Sequence, residues 1–387
     1  MTHPAPQRWL CPDQVFDGKT LCNGLAVGIA EGRVVALEPA SGLTLNAPLQ
    51  RLAGVVTPGF VDLQVNGGGD SLLNHDPSVA AMQTIAAAHR RFGTVALLPT
   101  LITDRPEKLD AATDAAIAAK AAEGIIGIHI EGPHISMPRR GAHAAEFIRP
   151  LDQRTLSNLR RLRGAGVAVM LTVAPEAVVK GQIAALAALG VVVSLGHSDS
   201  DADAVKAALD EGARCFTHLF NAMSPMLNRA PGVTGACINS IGYAGFICDG
   251  IHVADEMLAL AIRARPVPDR MFLVSDAMST VGGSDHFTLY GEVVRLIDGR
   301  LVNADLSLAG AHTTMAQSLA RLIRVVGVDP QSALRMAVSV PAELIGAADC
   351  AGLIGRRLQD VLVLGADWLP RATLAEVADT LSPPPRT

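Results

Sequence analysis

The sequence predicts an α/β protein: a (β/α)8 barrel of the TIM type, carrying a small β-sandwich lobe formed by both chain ends. Three observations carry this. Between residues 55 and 276, eight short β-type runs each lead into a turn and, in most cases, an Ala-rich stretch of helix length. Such alternation makes a parallel sheet, and eight strands close a barrel. Polar residues gather where the runs end, the face on which such barrels hold their chemistry. Outside the runs, residues 25–37 and 360–365 show short alternating apolar patterns instead.

The runs are residues 59–65, 94–98, 125–131, 167–172, 191–197, 215–218, 244–248 and 271–276. Stretches between them, such as 106–122 and 199–212, carry helix formers, and several open with an Asp or Ser suited to an N-cap. Residues 25–37 place two apolar runs around Ala30-Glu31-Gly32, a hairpin pattern. Residues 284–308, with the turn at 297–300, read as a hairpin inserted after the eighth strand. The expected division is therefore residues 1–54 for the first part of the lobe, 55–350 for the barrel, and 351–387 for the rest of the lobe and a frayed tail, 383–387.

Composition narrows the function classes. The 387 residues are 49% hydrophobic, but the longest apolar stretch, around 183–195, falls short of the roughly 20 residues a bilayer span needs. The first residues lack the basic start and apolar stretch of a secretory signal, so a cytoplasmic location is expected. Six cysteines are scattered without Cys-x-x-Cys pairing, which suggests neither a disulfide framework nor a thiolate metal site. A net charge of −5 without basic blocks, and 3% aromatics, argue against a nucleic-acid partner. No membrane partner is expected either.

The chemistry is carried by side chains at the strand ends. His218 lies 21 residues after His197, and each closes a short apolar run. Two such imidazoles on successive βα units can converge on one metal ion, and Glu131 offers a carboxylate at the end of the third run. Two His and one Glu make an open, hydrolytic site. One His near a strand end is most often a hydrogen-bonded structural residue. Glu131, His197, His218, His252 and Asp276 at corresponding positions shift the reading towards a site. Asp276 is the natural general base for a metal-activated water, with an N-cap as its alternative. His143 and Arg229 sit in the loops after the third and sixth runs, where such residues are usually solvated. At the first run, Gln64 and Asn66 stand where many barrel hydrolases carry His-x-His. Neutral amides are poor ligands beside imidazole, so one metal ion is expected rather than two. Gly67, Gly68 and Gly69 either let backbone approach a ligand or form a turn.

Taken together, residues 58–67 (PGFVDLQVNG), 129–133 (HIEGP), 140–143 (RGAH), 174–176 (APE), 196–198 (GHS), 217–223 (THLFNAM), 229–232 (RAPG), 249–252 (DGIH), 275–277 (SDA) and 308–310 (LAG) resemble the N-acetylglucosamine-6-phosphate deacetylases of the amidohydrolase superfamily. The resemblance implies removal of the acetyl group from N-acetyl-D-glucosamine 6-phosphate. It also implies that Glu131, His197 and His218 hold the divalent metal and that Asp276 is the acid and base. His143 would polarise the acetyl carbonyl. Asn221, the backbone at Ala222, Arg229 and His252 would contact the sugar phosphate, with Arg229 reaching across a homodimer interface. Zn²⁺ is the expected ion, with Fe²⁺, Co²⁺ or Mn²⁺ compatible with the same ligands. The sequence departs from the family pattern at residues 133–136 and 310–311, both expected at the pocket rim.

Overall fold

A computed structural model describes residues 4–43, 48–304 and 306–380; the expected tail, 383–387, lies outside them. Eight parallel strands, Phe60–Val65, Thr94–Ile102, Ile128–Glu131, Val169–Val173, Val192–Leu195, Cys215–Phe216, Tyr243–Phe246 and Met271–Leu273, pair in sequence order. The ring closes just beyond the last strand. Asp276 N–H donates to the Gln64 carbonyl at 3.0 Å, and Asn66 N–H to the Ala277 carbonyl at 2.9 Å. All eight predicted runs are barrel strands. The intervening stretches 106–122 and 199–212 contain the helices Pro106–Ala118 and Ala202–Asp210, and Asp201 caps the second by accepting from Ala204 N–H.

Two boundaries differ from expectation in a way that matters for the site. The runs read as ending on His197 and His218 stop as strands at Leu195 and Phe216. Beyond those points the backbone turns left-handed, with φ of 47° at His197 and 30° at His218; Asp276 follows suit at 50°. For non-glycine residues this region is sparsely populated and costs about 1–3 kcal/mol per residue. The turn aims each side chain over the mouth of the barrel.

Below the mouth lies a buried polar chain donated by successive strands. His129 Nε2 is 2.8 Å from the Thr172 hydroxyl, which is 2.7 Å from that of Thr217, in turn 2.6 Å from Ser194 Oγ. Burial pushes His129 down to about 4, so it sits there neutral. It is a structural histidine.

The chain ends meet as expected. Strands Leu25–Ala30 and Arg33–Pro39 form the hairpin, with positive φ at both Glu31 and Gly32. Strand Val361–Leu364 pairs antiparallel with Leu49–Pro58, placing Val361 opposite Pro58. Together with Arg8–Phe16, Leu21–Asn23 and Pro370–Thr373 these make one connected seven-stranded sheet over its own apolar core, which includes Leu10, Val27, Val56 and Val363. Leu49–Pro58 runs through the expected boundary at 54/55. The insertion is a three-stranded antiparallel sheet, His286–Leu289, Glu292–Ile297 and Arg300–Val302, whose Phe287 and Leu301 pack with Ile102 and Met278 beside the mouth. Among the described residues, no helix is long and apolar enough to cross a membrane.

Candidate active site

Glu131 ends the third barrel strand, and its Oε1 lies 3.1 Å from His197 Nε2 and 3.0 Å from His218 Nε2. The two imidazole nitrogens are 3.1 Å apart, and all three side chains are buried. Such a triangle of donors repels itself unless a positive charge sits among them. Its edges suit atoms bound at about 2.0–2.2 Å to a common divalent ion. The far side of His197 agrees: Nδ1 donates to the Arg139 carbonyl at 2.8 Å, which leaves Nε2 with its lone pair facing Glu131. Burial would raise the Glu131 carboxyl. The adjacent His197 and His218 imidazoles outweigh burial and hold it well below the usual carboxylate range.

A looser grouping also exists, since donor atoms of Glu131, His143 and His197 lie within 4.8 Å of one another. The tighter set, Glu131 with His197 and His218, fits one ion better, because 3.0–3.1 Å edges suit a single coordination sphere. His143 has a different tie: its Nδ1 is 2.7 Å from the hydroxyl of Thr103.

Asp276 stands across the mouth. Gln64 Nε2 donates to its Oδ1 at 3.0 Å and Asn66 Nδ2 to the same oxygen at 2.8 Å, so Oδ2 is the atom left to carry a proton. Gln64 Nε2 also lies 3.1 Å from both Glu131 oxygens. The two amides thus act as donors that hold the carboxylates in place. Burial, reinforced by the negative charge of Glu131, raises Asp276 to about 6. That value suits a group that must take and return a proton near neutrality.

The pocket over these residues has a volume of about 180 Å³. Besides Glu131, His197, His218 and Asp276, its walls include His143, Asn221, Ala222 and His252. His252 is braced by Asp249, whose Oδ2 accepts from Nδ1 at 2.7 Å while Oδ1 accepts from the Ile251 and His252 backbone N–H groups. Asn221 hydrogen-bonds the His218 carbonyl through Nδ2 at 3.3 Å, and Ala222 has φ of 51°.

The amidohydrolase family profile matches residues 55–356. The chain belongs to the amidohydrolase family. It is 38% identical over 346 residues to an N-acetylgalactosamine-6-phosphate deacetylase of Shewanella sp. (strain ANA-3), covering 86% of this chain and 85% of that protein. It is 31% identical over 305 residues to an N-acetylglucosamine-6-phosphate deacetylase of Haemophilus influenzae, covering 77% and 79%. Among solved structures, a mutant N-acetyl-D-glucosamine-6-phosphate deacetylase from Mycobacterium smegmatis, in complex with N-acetyl-D-glucosamine-6-phosphate, superposes with a TM-score of 0.86 at 32% identity, covering 95% of this chain and 97% of that one.

Of the nine residues given catalytic, substrate or metal roles from the sequence of this amidohydrolase, Arg229 alone does not line the pocket. It is exposed in the loop at 225–231, beside Met226 and Leu227, which are also exposed. His134, expected at the pocket rim, is buried instead: Nδ1 lies 3.0 Å from the Arg149 carbonyl and Nε2 3.0 Å from the Thr155 hydroxyl. The 310–311 departure does reach the rim, because Gly310 lines the pocket. Gly67 resolves as closely packed backbone in a small hairpin, Gly67–Gly68 pairing with Ser71–Leu72 about a turn at Gly69 and Asp70; an added Cβ on Gly67 would fall 2.5 Å from the Ser71 carbonyl oxygen and 2.7 Å from Ser279 N. Sequence reasoning missed the positive role of Gln64 and Asn66. Two amides spaced to share one strand face, ahead of a buried carboxylate site, were the available signal.

Proposed function

We propose that this chain hydrolyses the acetamide of N-acetyl-D-glucosamine 6-phosphate to D-glucosamine 6-phosphate and acetate, within amino-sugar catabolism and recycling of cell-wall sugar. The observation that carries the reading is the Glu131–His197–His218 triangle facing Asp276 in one small pocket. A divalent ion, Zn²⁺ in this reading, would be held by Glu131, His197 and His218 and would supply Lewis acidity, polarising a carbonyl and bringing the pKa of water to about 7.

The protein's own groups do the rest. His143 lines the pocket as a buried imidazole that burial, together with the neighbouring His197, keeps well below its usual pKa. Being neutral, it can donate one N–H to the acetyl oxygen as negative charge grows there. Asp276 takes the proton of the attacking water through Oδ2. It gives that proton to the sugar nitrogen as the C–N bond breaks, so that amine and acetate leave. Asn221, the Ala222 backbone and His252 line one side of the pocket and offer donors to the 6-phosphate.

Arg229 completes the phosphate site in a homodimer, donated by the other subunit; its exposure on an apolar loop supports that reading. A phosphate ester does not cross lipid unaided, which supports a cytoplasmic enzyme. The identity of the Shewanella relative favours a second reading, the galactosamine epimer as substrate for the same machinery.

The test is turnover of both N-acetylhexosamines, with and without the 6-phosphate, by protein of measured metal content. We expect acetate release chiefly from the phosphorylated sugars, with full activity at one ion per subunit. Equal turnover without phosphate would overturn the phosphate assignment. A requirement for two ions with Gln64 or Asn66 as ligands would overturn the single-ion site.

A further inference from the structure

Thr103 immediately follows the second barrel strand and is 1% exposed, and nothing above gives its hydroxyl a role in the reaction. Its Oγ1 lies 2.7 Å from His143 Nδ1. Among the described residues, its only other hydrogen-bonding contact through the hydroxyl is the Glu131 carbonyl at 3.5 Å, the outer limit for such a bond. Three features hold it there. The Tyr290 hydroxyl, reaching over from the inserted sheet, donates to the Thr103 carbonyl. Gly132, with φ of 79°, backs directly onto the hydroxyl: a Cβ there would fall 2.3 Å from Oγ1. The His143 backbone is fixed in turn, its N–H donating to the Arg140 carbonyl at 3.0 Å and its carbonyl accepting from Arg140 Nη1 at 3.1 Å.

A neutral imidazole carries one proton, and the partner of one nitrogen decides where it sits. A hydroxyl carries one proton as well. If Thr103 spends it on the Glu131 carbonyl, Nδ1 of His143 must be the protonated nitrogen, and Nε2 faces the pocket as a lone pair. If Thr103 donates to Nδ1, Nε2 faces the pocket as an N–H. The 2.7 Å bond forms in either case; what separates them is that the Glu131 carbonyl, at 3.5 Å, offers the hydroxyl proton almost nothing, and that an acyl oxygen in the pocket calls for an N–H donor.

We infer that Thr103 is a positioning residue that donates to His143 Nδ1 and thereby sets the tautomer in which Nε2–H points into the pocket. The inference rests on the reading of His143 as the group that polarises the acyl oxygen. It also explains why His143 stays outside the metal-binding triangle despite its proximity: an Nε2 that bears hydrogen has no lone pair to give. The inserted sheet acquires a function through Tyr290, since it anchors the residue that orients the catalytic imidazole.

The experiment compares Thr103→Val, which keeps the shape and loses the hydroxyl, with Thr103→Ser, which keeps the donor, and with His143→Ala. We expect Thr103→Val to lower kcat by roughly 10- to 100-fold with KM little changed, below the 10²- to 10³-fold lost with a whole oxyanion donor. Thr103→Ser should recover most of that loss. In ¹⁵N spectra of the imidazoles, the wild type and Thr103→Ser should show His143 protonated at Nε2, and Thr103→Val should show a mixture of tautomers. Normal kcat in Thr103→Val beside a crippled His143→Ala would overturn the Thr103 inference alone. Near-normal activity in His143→Ala would overturn the role of His143 itself. Protonation at Nδ1 in the wild type would overturn the inference whatever the rates.

Discussion

The β lobe and the mouth of the barrel are both tightly packed, yet the backbone obeys local rules in one and breaks them in the other. In the lobe, positive φ at Glu31 and Gly32 is what a two-residue hairpin turn demands, and the strands on either side pair in regular register. At the mouth, His197, His218, Phe220, Ala222 and Asp276 all take positive φ, five of the eleven such non-glycine residues among those described. None of the five is a glycine that would adopt it freely. Their burial differs in kind too: the lobe encloses Leu10, Val27 and Val363, whereas the mouth encloses Glu131 and three imidazoles, with Asp276 partly buried beside them. A site of this type is built by accepting local strain and desolvated charge, which the packed barrel beneath it offsets.

If the comparison is right, the largest effect on chemistry should come from the mouth with little harm to the fold. Asp276→Asn removes the proton acceptor, keeps the shape and suits positive φ, so kcat should fall by about 10²- to 10⁴-fold. Metal content should stay that of the wild type. Near-normal turnover would place the base elsewhere, and loss of the ion would mean that Asp276 is itself a ligand.

The lobe should show the converse. Leu10 is fully buried there, so Leu10→Ala should cost about 2–5 kcal/mol of stability in urea titration while kcat per folded molecule stays unchanged. A fall in kcat well below the unfolding transition would show that lobe and mouth are coupled.

Arg229 tests whether the mouth is complete within one chain. Charge-assisted bonds to phosphate contribute about 1.5–3 kcal/mol, so Arg229→Ala should lower kcat/KM for the 6-phosphate substrate by roughly 10- to 150-fold. Turnover of the unphosphorylated sugar, expected to be poor from the start, should hardly move; equal loss on both would make Arg229 structural. Mixed dimers of Arg229→Ala with Asp276→Asn subunits should regain activity, because one of their two sites then has both groups. Verified mixed dimers without recovery would count against donation across the interface.

The same contrast explains what could be read from the sequence. The eight strands, the hairpin at 25–37 and the pairing of the chain ends were legible because period-two patterning and turn chemistry are local signals. Glu131, His197, His218, His252 and Asp276 were legible because barrel strands place their last residues together. The strand ends themselves were misjudged by two residues at His197 and His218, since nothing local announces a left-handed histidine. Thr94–Ile102 ran past its expected end at 98, because Pro99 reads as a stop but sits where the register with the first strand shifts. The Gln64 amide between Glu131 and Asp276, and the Thr103 hydroxyl on His143, join residues far apart in the chain, and only the folded barrel brings them within reach.

The last effect concerns Asp62, a carboxyl buried in the first strand with no exposed surface. Burial raises it to about 7, against hydrogen bonds from Ser275 and the Gln64 backbone, and the charge of Asp276 adds to the rise. In the unfolded chain it titrates near 3.8. Between those values the folded protein holds a proton that the unfolded chain has lost. The stabilisation from neutral Asp62 is therefore complete below about 4 and fades as pH rises towards 7, by at most about 1.4 kcal/mol per pH unit. Asp62→Asn, which cannot ionise, should remove that slope and gain stability relative to its parent as pH rises from 4.5 to 7.5. The pair is best compared by urea titration in the Asp276→Asn background, where no second carboxyl shares the titration. Parallel stability curves for the two proteins across that range would mean that Asp62 is ionised throughout, and that this wall of the barrel tolerates buried charge as the mouth does.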